Sequence, residues 1–325
     1  MEILQVVPLN SKSEMPVYVV NQLQSLVPHG INSQVVGFRG NQITVKKPIK
    51  SLRSAAALYK EIQNSDAKVI HAHWGSLLGA ICGFSKRPDQ TLILTLRGSD
   101  VNRVLTERKY VFYLRTVLSR FAVSKSCHVV YVSEQLNRGW KRGESNFSVI
   151  PDGTSTAIFF PRNKDKSRHQ LNWKNDTHYV LFHCGERPRE KNLSLAEEVL
   201  NIVKKTLKNV ELVTIENDLT QDELAIHFCA ADALLFTSHS EGSPNVVREA
   251  IASGCPVVSV DVGDASRWVH MSKAGHLASY DPIELSEGVI DTIKNPVLPN
   301  YSIAQLYSVD YSAQILAKVY FRFGI

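Results

Sequence analysis

The sequence lacks any run of 18 or more apolar residues, which excludes an ordinary transmembrane helix. It has five cysteines in 325 residues, scattered, odd in number and without a CxxC pair. A disulfide framework and a zinc ribbon are thereby excluded, and reduced, mostly buried thiols of a cytoplasmic protein are expected. The first residues, MEILQVVPLN, lack the basic start and cleavable apolar stretch of a signal peptide, and read as the first core strand. Internal repeats and low-complexity segments are absent. So are the G-x-S-x-G of a serine hydrolase and the G-x-G-x-x-G of a dinucleotide fold. The net charge of +6 is small for this length, and no aromatic–basic stacking motif accompanies it, so nucleic acid is not an expected partner. His71 and His73 in HAHWG face one side of a strand end, but a third ligand at useful spacing is missing. A structural or cleft-lining role is preferred there, and no metal site is expected.

What is present is the composition of a soluble globular protein, 44% hydrophobic and 21% charged, long enough for two domains. Apolar runs at 3–9, 34–38, 68–71, 91–96, 128–132 and 147–150 alternate with helix-like segments such as 17–27 and 51–63. This is the pattern of βαβ units on a parallel sheet. It breaks over 151–173, where Pro, Gly, Ser, Thr and charged residues mark a crossover between domains. Alternation then restarts: strands at 179–183, 210–215, 233–237 and 256–260, with helices at 193–205, 221–231 and 245–252. The tail, 310–323, reads as an amphipathic helix. The expected fold class is α/β, with two doubly wound Rossmann-like domains facing across a cleft. The boundaries are 1–155, completed by the helix at 310–325, and 156–309. Ligands of such sheets bind beyond the carboxyl ends of the strands.

The stretch SEGSPNVVREAIASGCPVVSVD holds two glutamates, Glu241 and Glu249, eight positions apart at the entrance to an otherwise apolar helix–strand unit. Ser243 is a plausible N-cap with Pro244 at the first helical position. The N–H groups of Asn245, Val246 and Val247 would then have no acceptor in the helix, and with the helix dipole they form an anion site. Carboxylates beside such a site are useful if they accept hydrogen bonds from hydroxyls, as the ribose and sugar of a sugar nucleotide would offer. The alternative is that the acids only favour a helix N-terminus. A second loop, HCGERPREKN, places Arg187, Arg189 and Lys191 before a helix. Its reading is either a diphosphate-neutralising cluster or a solvated basic loop.

Five motifs in order along nearly the whole chain resemble the retaining glycosyltransferase family 4, of GT-B fold. EGSPNVVRE resembles its E-x7-E motif, and AIASGCPVVSVDVGD the helix, strand and loop that follow it. GERPREKN resembles its G-R-x-x-x-x-K loop, VIPDGTSTAIFFP its hinge, and TLRGSDVN its first-domain T-x-H-G-S-D-x-N loop. The resemblance implies transfer of a sugar from a nucleoside diphosphate to a hydroxyl acceptor with retention of configuration. It gives Glu241, Lys191 and Arg187 catalytic roles at the donor sugar and its leaving diphosphate. Glu249 would bind ribose, and Gly185, Gly242, Ser243, Asn245 and Val246 would line the donor cradle. Arg97, Gly98, Ser99, Asp100 and His73 would line the acceptor side. No cofactor and no metal are implied, and UDP is favoured over GDP as the donor's nucleotide. The chain departs from the family where Glu186 follows Gly185, where Arg97 replaces the loop histidine, where Asp152 replaces the hinge asparagine, and where the first loop, SKSEMPVY, has no glycine. Two other readings are a non-catalytic nucleotide-sugar-binding protein and a sugar-nucleotide epimerase of the same fold.

Between Arg97 and Arg142 ten Lys/Arg face three acids, interleaved with Tyr110, Phe112, Tyr113 and Phe121. A solvated basic helix face is the first reading. An anionic membrane surface is the second, and would place a cytoplasmic protein peripherally on the inner face of the membrane, acting on a lipid-linked or surface-polysaccharide glycan.

Overall fold

The computed structural model describes residues 1–324 apart from 11, 40–47, 104–106, 141–145, 186 and 217–218, and all of their side chains except those of 48–51 and 139–140. Ser11, Lys141, Arg142 and Glu186, singled out above, therefore lie outside the described residues. The chain divides into two compact units, Met1–Gly153 with Val309–Ile325, and Thr154–Ser308.

In the first unit the strands are β1 (Glu2–Pro8), β2 (Asn32–Phe38), β3 (Val69–Ala72), β4 (Thr91–Leu96), β5 (His128–Tyr131) and β6 (Phe147–Val149). Its helices are α1 (Val17–Leu26), α2 (Pro48–Asn64), α3 (Ser76–Ser85), α4 (Lys109–Lys125) and α5 (Glu134–Trp140). The six strands are parallel in the order β2-β1-β3-β4-β5-β6. Alternate residues point to opposite faces of a strand, and here both faces are buried. Ile3, Val69 and Ile93 enter one core, while Leu4, Ile70 and Leu92 enter the other. Strands covered on both sides read as continuous apolar runs, which is why they were legible.

In the second unit α6 (Lys164–Gln170) precedes β7 (His178–His183), α7 (Pro188–Lys191), α8 (Leu193–Thr206), β8 (Val210–Ile215) and α9 (Gln221–Ala230). Then come β9 (Ala233–Phe236), α10 (Asn245–Ala252), β10 (Val257–Val260), α11 (Ala265–Ser272), β11 (Gly275–Ala278) and α12 (Pro282–Lys294). The five strands are parallel in the order β11-β10-β9-β7-β8. Local chemistry sets several starts. Thr220 and Glu223 form a reciprocal capping box at α9, and Asp281 caps α12 with Pro282 at its first position. The last helix, α13 (Val309–Phe323), returns to the first unit, where Ala313, Leu316 and Tyr320 join the core that contains Ile3 and Val69.

The sequence reading does not single out α11, β11 or α12. Strand β11 is a four-residue edge strand, GHLA, and none of its residues is fully buried. Gly275 opens it at φ +93°, and a Cβ there would lie 2.0 Å from the Val257 carbonyl oxygen. Both the positive φ and the close approach require glycine. Gly275→Ala is expected to lower stability by about 3 kcal/mol or more, read as a fall in the urea midpoint. An unchanged midpoint would show that β10 and β11 tolerate separation.

Candidate functional site

Chain order in the second sheet reverses between β7 and β9, since β8 lies beyond β7 on one side and β10 and β11 beyond β9 on the other. Loops leaving the carboxyl ends of these two strands diverge and open a crevice between them. Lys191 ends the single turn of α7 that follows β7, and Glu241 lies on the loop after β9.

The two loops are sewn together. Thr237 Oγ1 donates to the Lys191 and Asn192 carbonyls at 2.9 and 3.1 Å, and the His239 N–H donates to the Glu190 carbonyl at 2.9 Å. Asn192 takes a left-handed conformation, φ 62°, so that the single turn of α7 ends and α8 starts in a new direction. Lys191 Nζ then meets Glu241 Oε1 at 2.5 Å, with both side chains partly exposed. His183, at the end of β7, stands near this pair, and burial with the Lys191 charge beside it holds its pKa down to about 4. It is a neutral imidazole whose Nδ1 is buried without a partner, and sequence reading did not single it out. Arg187 is not brought to this pair. It is half exposed and bonds Glu190 at 3.2 Å. Gly185 turns the chain at φ 54° before it.

Helix α10 begins at Asn245 with an extended Pro244 as its N-cap and no side-chain cap. The expected Ser243 cap is therefore corrected. Ser243 Oγ instead donates to Asp264 Oδ2 at 2.9 Å and accepts from Arg248 Nη1. Arg248 is fully buried, with Asp264 Oδ2 3.9 Å from its Nη1, and its Nη2 bonds Asn245 Oδ1. Arg248 and Asp264 were missed. The available signal was a lone cation inside an apolar helix and an acid in the VGD that follows the next strand. Gly263 brings that third loop against the second, since a Cβ on it would meet Glu241 Cβ and Pro244 Cδ, each at 3.2 Å. Gly242 is buried in the same contact, and the Val246 side chain belongs to the core.

Glu249 lies one turn beyond Asn245 on α10, and its carboxyl group has no hydrogen-bond partner among the described residues. Burial pushes its carboxyl up to about 7, against the pull of Arg248. A carboxyl shifted in this direction holds its proton longer, and a protonated carboxyl can both donate and accept.

The candidates of the first unit gather at the ends of β3 and β4, but mostly below the surface. Arg97, Asp100 and His73 are 7%, 0% and 0% exposed, and Gly98 is also buried, so only Ser99 is partly open. The expectation that these five line an acceptor surface is corrected to that extent. Arg97 Nη1 pairs with Asp152, its Nε donates to the His73 carbonyl at 3.2 Å, and its guanidinium lies over Tyr18 at 4.4 Å. It is a buried structural cation here. Asp100 accepts from the N–H groups of Gly75, Arg97 and Gly98, which closes the loop after β4, while burial pushes its carboxyl up.

The histidines have one consistent set of tautomers. His73 Nδ1 accepts from Arg97 Nη2 at 3.1 Å, so its Nε2–H donates to Gln5 Oε1 at 2.7 Å. Gln5 Nε2 donates to the Tyr320 oxygen at 3.2 Å, and Tyr320 O–H donates to His71 Nδ1 at 2.6 Å. His71 Nε2–H ends the chain on Thr95 Oγ1 at 2.7 Å. Burial and the Arg97 charge hold His71 neutral, its pKa near 3. His71 ties α13 to the sheet through Tyr320, and His73 is held between Gln5 and Arg97.

Two doubly wound parallel-sheet units with these switch-point loops define the GT-B fold. Residues 167–295, the body of the second unit, match the family model described as "Glycosyl transferases group 1". Among curated relatives, TuaC of Bacillus subtilis (strain 168), assigned as a teichuronic acid biosynthesis glycosyltransferase, is 28% identical over 235 residues, 66% of this chain and 59% of that protein. The D-inositol 3-phosphate glycosyltransferase of Paenarthrobacter aurescens (strain TC1) is 26% identical over 172 residues, 44% of this chain and 42% of that protein. The chain thus spans less than two thirds of either relative in the matched region. Among solved structures, the sucrose-phosphate synthase of Thermosynechococcus elongatus superposes with a TM-score of 0.75 at 16% identity, covering 99% of this chain and 98% of that one. Anabaena Alr3699/HepE, solved with UDP and glucose, gives 0.66 at 17% identity, covering 98% of each chain.

Glu249 yields a pH prediction. Its folded pKa, about 7, lies above the ordinary 4.5. Below the ordinary value both states are protonated and burial costs nothing. As pH rises toward the folded value, the unfolded chain ionises first and stability falls. Relative to Glu249→Gln, the wild type should lose about 1–3 kcal/mol between about pH 5 and pH 8, measured by urea denaturation at each pH. Parallel pH profiles of the two proteins would show that Glu249 is not held in its protonated form.

Proposed function

We propose that the chain is a retaining glycosyltransferase that moves a sugar from a nucleoside diphosphate to a hydroxyl acceptor, in surface polysaccharide or glycolipid synthesis. The observation that carries this is the Lys191–Glu241 pair at the switch point, one loop away from the start of α10. Lys191 supplies a cation to a leaving diphosphate, and the first N–H groups of α10 supply donors and the positive end of a dipole. Glu241, released from Lys191 as the phosphate takes its place, accepts hydroxyls of the transferred sugar. Glu249 accepts ribose hydroxyls. Arg187 supplies a second cation, since its exposed pair with Glu190 holds it only weakly.

In this reading the bond from the anomeric carbon to the diphosphate oxygen breaks first, with the charge taken up by Lys191 and the helix start. The acceptor oxygen forms its bond on the same face, and its proton passes to the departing phosphate oxygen. The products are the glycoside and the nucleoside diphosphate. The residues assigned here neutralise the leaving group without a metal ion. The relative assigned to teichuronic acid biosynthesis supports a polysaccharide acceptor, and the neighbour solved with UDP and glucose supports UDP over GDP.

Glu241→Ala and Lys191→Ala should each lower kcat/KM for sugar transfer about 100- to 1,000-fold, with melting temperatures close to wild type. Folded variants that transfer sugar at the wild-type rate would remove both residues from the site. A thermal-shift series of UDP-, GDP-, ADP- and TDP-sugars should raise the melting temperature most for the true donor, by mass action. Donor binding with neither transfer nor hydrolysis would favour the non-catalytic reading.

The acceptor is proposed to be membrane-associated, with α4 as the contact. Tyr110, Tyr113, Leu114, Val117 and Phe121 are exposed along it, with Arg108, Lys109 and Lys125 exposed near its two ends. The basic region is narrower than its sequence count. Arg97 pairs with Asp152, and Arg115 with Glu107 at 2.6 Å. No helix among the described residues is long and apolar enough to cross a membrane. A basic helix with aromatic residues on its open face suits an interfacial position on anionic lipid. The protein should float with phosphatidylglycerol vesicles and not with phosphatidylcholine, and Tyr113→Glu with Val117→Glu should abolish flotation. Equal flotation with and without anionic lipid, or none at low salt, would overturn this.

A further inference from the structure

The most costly feature of the second unit is a fully buried guanidinium. Arg248 is 0% exposed and Asp264 is 7% exposed, on α10 and in the loop after β10. Taking these charges out of water is costly, and the cost is repaid only if the remaining donors and acceptors are well paired. The pair is 3.9 Å apart and its closest polar contacts go elsewhere. Arg248 Nη1 donates to Ser243 Oγ and Nη2 to Asn245 Oδ1, while the Ser243 hydroxyl donates to Asp264 Oδ2 at 2.9 Å. Trp268 and Tyr307 close the pocket, with the indole ring 5.8 Å from the guanidinium and the Tyr307 hydroxyl donating to the Arg248 carbonyl at 3.3 Å.

A guanidinium can only donate. It therefore dictates the orientation of both side chains it touches. Ser243 accepts from Arg248 and donates to Asp264, so its proton is spent inside the protein. The Asn245 carboxamide must present its oxygen to Arg248, and its NH2 is left on the other side. That NH2 has no hydrogen-bond partner among the described residues, and Asn245 is partly exposed at the first position of α10. We infer that Arg248 is a positioning residue that locks the Asn245 carboxamide with its NH2 outward, so that Asn245 adds two side-chain donors to the helix N–H groups and binds a phosphate oxygen of a nucleoside diphosphate. Ser243, expected above as part of the donor cradle through its neighbouring backbone, contributes its hydroxyl to the frame instead of to the ligand.

This rests on the proposed function, and the test separates the two. The probes are UDP and GDP, titrated into the purified full chain by calorimetry, with donor KM and kcat measured in parallel. Asn245→Asp keeps an oxygen for Arg248 and replaces the outward donors with an acceptor. It should fold with an unchanged or higher melting temperature and bind the tighter diphosphate at least about 10-fold more weakly, with the loss in KM more than in kcat. Asn245→Ala should weaken binding by a smaller factor. Arg248→Lys, which cannot fork to both side chains, should raise donor KM, and the two asparagine variants keep the test open if it does not fold. Asp and Ala variants that bind the diphosphate as wild type does would overturn the role of Asn245. Wild-type protein that binds neither diphosphate would overturn the proposed function itself.

Discussion

The reversal of strand order between β7 and β9 is the constraint on which the candidate site depends. A parallel sheet must send each connection over one face or the other, and where the winding changes hand two neighbouring loops part. Lys191 and Glu241 are 50 positions apart in sequence and 2.5 Å apart in space for this reason. Hydrogen bonds from Thr237 and His239 across the crevice hold the two loops at that separation. The pair is partly exposed, so its attraction is screened and its energy modest. In the proposed mechanism its value lies in keeping a cation and a carboxylate ready to exchange partners.

Each unit also buries an arginine with an aspartate near the carboxyl ends of its strands, Arg97 with Asp152 and Arg248 with Asp264. The two differ in what they hold. Arg97 fastens the end of the first unit's main segment, Asp152, to His73 and the strand ends, and Ser312 on α13 adds a bond to the Pro151 carbonyl at 3.0 Å. Arg248 holds the side chains at the head of α10. Burying an ion pair is seldom the best route to stability, and in both cases its hydrogen bonds orient neighbours that an apolar residue could not orient. The tautomer chain from Arg97 to Thr95 shows the same principle with neutral groups, since one donor-only side chain decides the direction of every bond after it.

Reading the sequence recovered most strands and helices to within a residue or two, because both sheets are covered on both faces and their strands are plain apolar runs. It did not recover β11, whose edge position leaves its residues half-exposed and whose first residue is a conformational glycine. It placed Ser243 as a cap on the evidence of Ser-Pro alone, and a competing partner, Asp264, captured the hydroxyl. It counted Arg97 and Arg115 as surface charge, whereas Arg97 pairs with Asp152 far along the chain and Arg115 with the partly buried Glu107, eight residues earlier. It passed over Arg248, His183 and Tyr320, since a single polar residue in an apolar element has no local pattern to announce it.

The sequence by itself determined the two runs of βαβ alternation, the break at 151–173, and the spacing that puts Glu241 before a helix and Glu249 within it. Those are local matters of periodicity, turn chemistry and helix geometry. Tertiary structure decided which charges remain at the surface and which are consumed. Lys191 kept a solvent-facing partner, Arg187 a weak one, and Arg97 and Arg248 were buried. The reason is physical. A charge takes its role from the partners and the dielectric that the fold places around it, and those come from residues tens to hundreds of positions away.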